Sequence, residues 1–152
     1  MRISGPDIYF EHDPAPDTLR RASAVAFGVP ENAVVATRML SDTAFRALHD
    51  DAVLVLWQRE TDDQPGDFPS HFLLQIPGDT EDIDGALSRL AQMMHVPFVV
   101  VAGDDDAGDI VLHDTDGSRT PYTVDLRADD DYAIRLPDHA IAGRRGGRPV
   151  AI

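Results

Sequence analysis

Apolar and polar positions alternate along the chain with two periods, and the longer period predicts two amphipathic helices. In the clearer one, apolar residues recur every three or four positions and therefore share one face: Ile83, Leu87, Leu90 and Met94. Asp79 or Thr80 is expected to cap its N-terminus, and Pro97 to stop it. Residues 98–102 follow at once as a short β-branched run, which fits a central strand covered on both faces.

The other long helix is predicted between Asp13 and Gly28. Asp13 is expected to cap its first turn, with Pro14 at the first helical position, where a missing N–H costs nothing. Gly28 suits the left-handed residue that ends many helices. Its inward face is expected to consist of Leu19, Ala22 and Ala26.

A third, shorter helix is predicted at residues 43–49. Ser41 or Asp42 supplies its cap, and three apolar residues are candidates for its inward face: Ala44, Phe45 and Leu48.

The shorter period predicts the strands. They are expected at residues 7–10, 33–39, 52–57, 71–76, 98–102, 109–113, 120–126 and 132–136. Residues 52–59 and 71–76 are close enough in sequence to pair antiparallel through the loop at 61–69. That connection is longer than an ordinary hairpin loop, which makes it a candidate functional loop. Asp116-Gly117 supplies a tight turn between two of the later strands.

This order of elements predicts an α+β fold. The expected architecture is a two-layer sandwich, with helices on one face of a mixed, largely antiparallel sheet that ends in a β-meander. Residues 1–142 are expected to form a single domain, followed by an Arg/Gly-rich C-terminal tail at 143–152. The architecture hosts many unrelated functions, so it does not indicate an activity.

Charge is the most unusual feature of the composition. The 152 residues include 27 acidic ones, 23 of them Asp, against 13 basic ones that are all Arg, for a net charge of −14. GC-rich codon usage and adaptation to a salty cytoplasm both explain such a bias, and attraction to a basic protein partner is the functional alternative. Free nucleic acid is not expected as a ligand, because binding it requires clustered Lys and Arg.

Other features of the whole chain indicate where in the cell the protein is expected. There is no cysteine, hence no disulfide framework and no thiol nucleophile. The first residues lack the apolar core of a signal peptide, and the longest apolar runs, 52–57 and 98–102, fall short of the roughly 18 to 20 residues that span a bilayer. A soluble cytoplasmic protein with no membrane partner is therefore expected.

Two acidic loops are the candidate partner-binding sites. One follows the strand at 98–102 and contains Asp104, Asp105, Asp106 and Asp109; the other contains Asp62, Asp63 and Asp67. The first does not fit an EF-hand, because its acids are contiguous and no Glu follows at the required spacing. No metal site, cofactor site or catalytic residue is predicted.

The six histidines offer little chemistry, because none is spaced from another as a metal pair. The predicted function is a non-enzymatic acidic protein-binding module, of the immunity or inhibitor type, for a basic partner. One alternative is a small enzyme that uses His71 or His113 with a nearby Asp as general base. The other is a structural, self-assembling subunit that pairs through exposed strand edges. Partner identity and oligomeric state stay open.

Overall fold

The structure of the chain is a computed structural model that describes residues 1–102, 109–124 and 133–137. Asp104, Asp105 and Asp106, together with the predicted tail at 143–152, lie outside the described residues.

The described ranges contain eight strands and three helices. The strands are β1 Arg2–Ser4, β2 Ile8–Phe10, β3 Val34–Arg38, β4 Val55–Arg59, β5 Ser70–Pro77, β6 Phe98–Ala102, β7 Asp109–His113 and β8 Arg119–Thr123. The helices are α1 Pro16–Phe27, α2 Asp42–Leu48 and α3 Ile83–Met94, with a short 3-10 turn at Glu31–Ala33.

All eight strands belong to one sheet, in the order β3-β4-β5-β2-β6-β7-β8, with β1 paired to β5 beside β2. β3 and β4 are parallel, because the chain crosses between them through α2, and every other pair is antiparallel. The fold is therefore the predicted α+β class with a mixed, mostly antiparallel sheet, and β6-β7-β8 forms the meander. At the strand predicted for residues 132–136, the described part makes only a bridge between Ile134 and Gly66.

The two long helices pack on one face of the sheet, over its main core. Three of the four residues predicted for the inward face of α3 are buried, and Ile83 is half-buried against the same cluster. Beneath them, Trp57 and Phe10 are fully buried, and the indole N–H of Trp57 donates to the Ser23 hydroxyl at 2.9 Å. The buried indole donor of this core is thus satisfied.

The second face of the sheet is covered at its two ends. At one end, α2 packs Ala47 against Leu56 and Val35, residues that alternate with the helix-face residues of β4 and β3. At the other end, Phe68 and Ile134 belong to a cluster on the opposite side of β6 and β7. β4 and β6 are consequently buried on both faces, as the sequence predicts for residues 98–102.

Two predicted helix termini are confirmed. Gly28 ends α1 in the left-handed conformation, with φ at 65°. Ser41 caps α2, since its hydroxyl accepts a hydrogen bond from the Ala44 N–H at 3.0 Å.

The prediction that Phe45 and Leu48 face inward is wrong, because both side chains are exposed. α2 turns its small residues Ala44 and Ala47 toward the sheet, so the larger apolar side chains point outward. Close packing of so short a helix over β3 and β4 favours the small residues.

Asp13 is not the cap of α1. The helix begins at Pro16, its N-cap is Ala15, and no side chain caps it. The carboxylate of Asp13 instead binds the side chains of Arg59 and Ser70. A buried guanidinium needs a charged partner more than a helix start needs a cap, because a helix end can also be satisfied by water.

The predicted caps of α3 are also wrong by a few residues. Asp82 is the N-cap and accepts from the Gly85 N–H at 3.0 Å, while the Thr80 hydroxyl donates to the Pro77 carbonyl. Asp79 precedes the first residue of the helix, Ile83, by four positions and is exposed. Several acids in a row make the capping residue ambiguous from sequence, since any of them offers the same acceptor.

Candidate binding cleft

A cleft of about 320 Å³ opens between the start of α1 and the C-terminal ends of β3 and β4. We call it the Asp13 cleft. Its walls are mostly apolar, with three charged residues among them, a composition typical of small-ligand or side-chain pockets. The lining residues are Asp13, Pro14, Pro16, Leu19, Ala36, Thr37, Arg38, Arg59 and Phe72.

Arg59 sits at the end of β4, beyond the apolar run predicted at 52–57, because the strand extends two residues further than that run. Its side chain is only 11% exposed. The guanidinium donates through Nε to Asp13 Oδ1 at 2.8 Å, through Nη1 to the Glu60 carbonyl at 2.7 Å, and through Nη2 to the Asp63 carboxylate. All three nitrogens are thus engaged, as a buried guanidinium requires.

Asp13 is held at the mouth of the cleft by two donors that converge on one oxygen. Besides Arg59, the Ser70 hydroxyl donates to Oδ1 at 2.5 Å. Burial raises the pKa of Asp13, but the hydrogen bonds from Arg59 and Ser70 and the charges of Arg59 and Arg38 outweigh it, so the pKa lies below its ordinary value. The carboxylate is therefore ionised at neutral pH, and its side chain is still 51% exposed.

The rim of the cleft is formed by the end of β3. Arg38 is exposed there, and its charge acts on Asp13 across the cleft. The Thr37 and Ser41 hydroxyls lie 3.0 Å apart, and Ser41 also donates to the Arg38 carbonyl at 2.7 Å. These bonds fix the turn that leads from β3 into α2.

Of the second predicted acidic loop, Asp63 contacts a residue of the cleft wall, because it shares Arg59 with Asp13. Asp67 faces elsewhere: its carboxylate accepts from the Leu136 N–H at 2.9 Å, and its own N–H donates to the Ile134 carbonyl. Asp62 is exposed. The loop therefore joins two regions of the surface.

Asp109 is the one described residue of the first predicted acidic loop. It begins β7, is exposed, and accepts from the Thr123 hydroxyl at 3.0 Å. Its role in partner binding, like that of Asp62, Asp63 and Asp67, stays a prediction.

His71 lies on the second face of the sheet, away from the cleft. Its ring stacks on Tyr9 with centroids 4.2 Å apart, and its Nε2 is 3.7 Å from Asp7 Oδ2. Burial, followed by the charges of Asp7 and Glu60, raises the pKa of Tyr9 to about 12. The phenol is therefore neutral at physiological pH, and it stacks as an uncharged ring.

His113 is buried at the opposite end of the sheet. Its ring stacks on Phe98, and Nδ1 lies 3.2 Å from the Ser88 hydroxyl. Burial lowers its pKa to about 4, the charge of Asp84 opposes this, and the charge of Arg119 adds to it. This histidine is a neutral core residue at physiological pH.

Sequence reasoning missed the Asp13 cleft, although one signal was available. An arginine two residues after the dense apolar run at 52–57 belongs to the same buried strand, and a buried arginine must have a carboxylate within reach. Which of the 27 acidic residues fills that role depends on the tertiary fold. From the sequence, Asp13 is predicted to cap a helix. A capping carboxylate accepts hydrogen bonds just as a carboxylate paired with arginine does.

Within the described ranges, no group of three or more His, Asp or Glu side chains is arranged to hold a metal ion. No helix of the described chain is long and apolar enough to cross a membrane. Comparisons with protein-family models, with curated proteins and with solved structures gave no match to this chain.

Proposed function

We propose that this protein is a non-enzymatic, acidic protein-binding module for a basic protein partner, of the inhibitor or immunity type. The observation that carries the proposal is the excess of exposed carboxylates over cations. Net charge is −14, and in the described part of the chain several exposed acids form no ion pair: Asp42, Asp51, Asp62, Asp79 and Glu81.

A surface of this kind acts on association more than on affinity. Complementary charge steers the encounter with a basic protein and suppresses acidic competitors. The effect falls with salt, because the Debye length shrinks from about 10 Å at 0.1 M to about 3 Å at 1 M. We assign partner binding to the predicted acidic loops, with Asp62, Asp63, Asp67, Asp104, Asp105, Asp106 and Asp109.

The test is capture from lysate of the source cell with the full chain as bait, at low and high salt. We expect a basic protein that is retained at a 1:1 ratio at low salt and released at high salt. The matched control is an unrelated folded protein of equal net charge, which must not retain the same species.

Two results would contradict the proposal. One is the absence of any stoichiometric partner at low salt. The other is equal retention by the charge-matched control, since that outcome reduces the effect to bulk ion exchange.

A further inference from the structure

We propose that the partner binds through an extended segment that adds to the free edge of β3 as a further strand and places a Lys or Arg side chain in the Asp13 cleft. The basic character of this segment rests on the proposed function. The structural juxtaposition is that of a strand edge with free hydrogen-bonding groups beside a cleft that holds an ionised carboxylate.

The edge is open because β3 is the end of the sheet within the described ranges. Its neighbour β4 takes the bonds of alternate residues: the Ala33 carbonyl accepts from Leu54 N–H at 2.8 Å, and Met39 N–H donates to the Arg59 carbonyl at 2.9 Å. By the same alternation Val35 and Thr37 face β4, so the backbone groups of Val34, Ala36 and Arg38 point away from the sheet.

Two of these outward groups already have partners. Val34 N–H donates to the Glu31 carbonyl, and the Arg38 carbonyl accepts from Ser41. Among the described residues, the N–H groups of Ala36 and Arg38 and the carbonyls of Val34 and Ala36 have no hydrogen bond. Two donors and two acceptors in register are what a short added strand requires.

The Asp13 cleft adjoins this edge, because Ala36, Thr37 and Arg38 line both. A side chain that leaves the added strand on the helix face enters the cleft between β3 and the start of α1. Leu19, Pro16 and Phe72 would cover an aliphatic stem, and Asp13 would accept from its charged end. Both hydrogen bonds to the Asp13 carboxylate end on Oδ1, and among the described residues none reaches Oδ2.

The charge of Arg38 allows a test of whether the ligand is a cation or an anion. It stands at the rim as an exposed cation, so it opposes an entering Lys or Arg and would favour an entering carboxylate. Replacing Arg38 therefore distinguishes a cation site from an anion site. For a cation site, Arg38→Gln must strengthen binding, because it removes like charge and keeps the backbone donor.

The probe is a peptide of alternating valine and arginine, which places all its arginines on one face of a strand. Binding to the full chain is followed by fluorescence anisotropy. Two control peptides accompany it: one in which glutamate replaces arginine, and one with the same charges but with alternate backbone nitrogens methylated, which removes their donors.

We expect the valine–arginine peptide to bind and both controls to bind at least about tenfold more weakly, the effect of about 1.4 kcal/mol. Asp13→Asn should weaken binding by roughly three- to tenfold, because a charge-assisted hydrogen bond becomes a neutral one. Ser70 and Arg59 also contact Asp13, so the melting temperature of this variant is measured alongside.

The variants Arg38→Pro and Arg38→Gln form a matched pair that does not depend on Asp13. Both remove the charge, but only Pro removes the outward N–H, and the N–H of Met39 that binds β4 is left in place. We expect Arg38→Gln to bind the probe more tightly than the wild type, and Arg38→Pro to bind it several-fold more weakly than Arg38→Gln.

Equal binding by Arg38→Pro and Arg38→Gln would overturn the strand-addition proposal, as would equal binding of the methylated peptide. Weaker binding by Arg38→Gln, with preference for the glutamate peptide, would overturn the cation site. A free protein that sediments as a dimer, and as a monomer after Arg38→Pro, would overturn it too, because a second copy would then occupy the edge.

The natural partner separates this inference from the proposed function. If a captured basic partner binds Asp13→Asn as tightly as the wild type and Arg38→Pro as tightly as Arg38→Gln, the proposed function stands and this inference fails. If no basic partner is captured while the probe behaves as expected, the edge site stands and the proposed function fails.

Discussion

The two ends of the sheet each bury a strongly polar side chain, and they satisfy it in opposite ways. At the β3–β4 end, Arg59 remains charged, as guanidinium groups do in proteins, and Asp13 at 2.8 Å and Asp63 neutralise it. At the β7 end, His113 loses its charge, because burial lowers its pKa to about 4 and its hydrogen-bond partner is the uncharged Ser88 hydroxyl at 3.2 Å. A buried guanidinium therefore keeps its charge and needs carboxylate partners, whereas a buried imidazole can give up its proton.

The two outer strands of the described sheet, β3 and β8, also differ in how open they are to an added strand. β8 carries Pro121 at its centre, opposite Val111, where proline has no N–H to offer an incoming strand. β3 has no proline and presents the Ala36 N–H instead. One edge has the usual protection against strand addition, and the other lacks it beside an ionised carboxylate.

The largest expected effect comes from the core that both ends share. Leu87 is 1% exposed in the cluster beneath α1 and α3, so Leu87→Ala should lower the free energy of unfolding by about 2–5 kcal/mol. Urea denaturation at neutral pH measures it. A loss well under 1 kcal/mol would show that α3 does not pack as described.

The second effect sharpens the contrast in protonation. His113 has a pKa of about 4 in the folded chain and an ordinary value of 6.5, so the unfolded chain binds more protons between these values. Stability conferred by the neutral ring is fully present above pH 6.5 and decreases as the pH falls to about 4, by up to about 3 kcal/mol. Asp84 and Arg119 are the charged groups that act on the ring, in opposite directions.

The control for that window is His113→Gln, which can still bond to Ser88 and does not titrate. Its unfolding free energy should decrease less than that of the wild type between pH 6.5 and pH 4. Parallel curves for the two proteins would contradict the assignment of a neutral, buried His113.

A smaller effect is expected at Asp13, because half of its side chain is in water. Asp13→Asn should lower stability by about 1 kcal/mol at neutral pH, since the Arg59 pair is weakened and not lost: Asp63 remains. The folded pKa of Asp13 is depressed, so its contribution is present above the ordinary value of 3.8 and is lost as the pH falls below it.

The two pH windows therefore separate the two ends of the sheet. Thermal unfolding across both windows checks this. The difference in melting temperature between the wild type and Asp13→Asn should disappear only below pH 3.8. If this difference disappeared between pH 6.5 and pH 4, the result would contradict the assignment of the effect to Asp13.

The smallest effect concerns the protected edge. Pro121→Val restores an N–H at the centre of β8, and we expect it to change stability by less than about 1 kcal/mol while introducing weak, concentration-dependent self-association. Sedimentation over a range of protein concentration measures it. A variant that stays monomeric throughout would show that Pro121 is not what closes this edge.

Local patterns predicted most of the elements, because helix faces, the Gly28 end and the strand alternation depend on near neighbours in sequence. They did not predict β1, whose three residues carry no clear alternation, or the position of α2 on the second face. The strand order also stayed open, since pairing of β2 with β6 joins residues far apart in the chain. The Asp13 cleft depends on that long-range order, whereas the acidic loop at 61–69 was visible as a long polar connection.

The most direct test of the account is amide hydrogen exchange along β3, with and without the valine–arginine peptide. In the free protein, the N–H groups of Ala36 and Arg38 should exchange rapidly while those of Val35 and Thr37, which face β4, are protected. Addition of the peptide should slow exchange at Ala36 and Arg38 specifically. Protection of these two amides before any peptide is added, or no change at them when the peptide binds, would contradict the account.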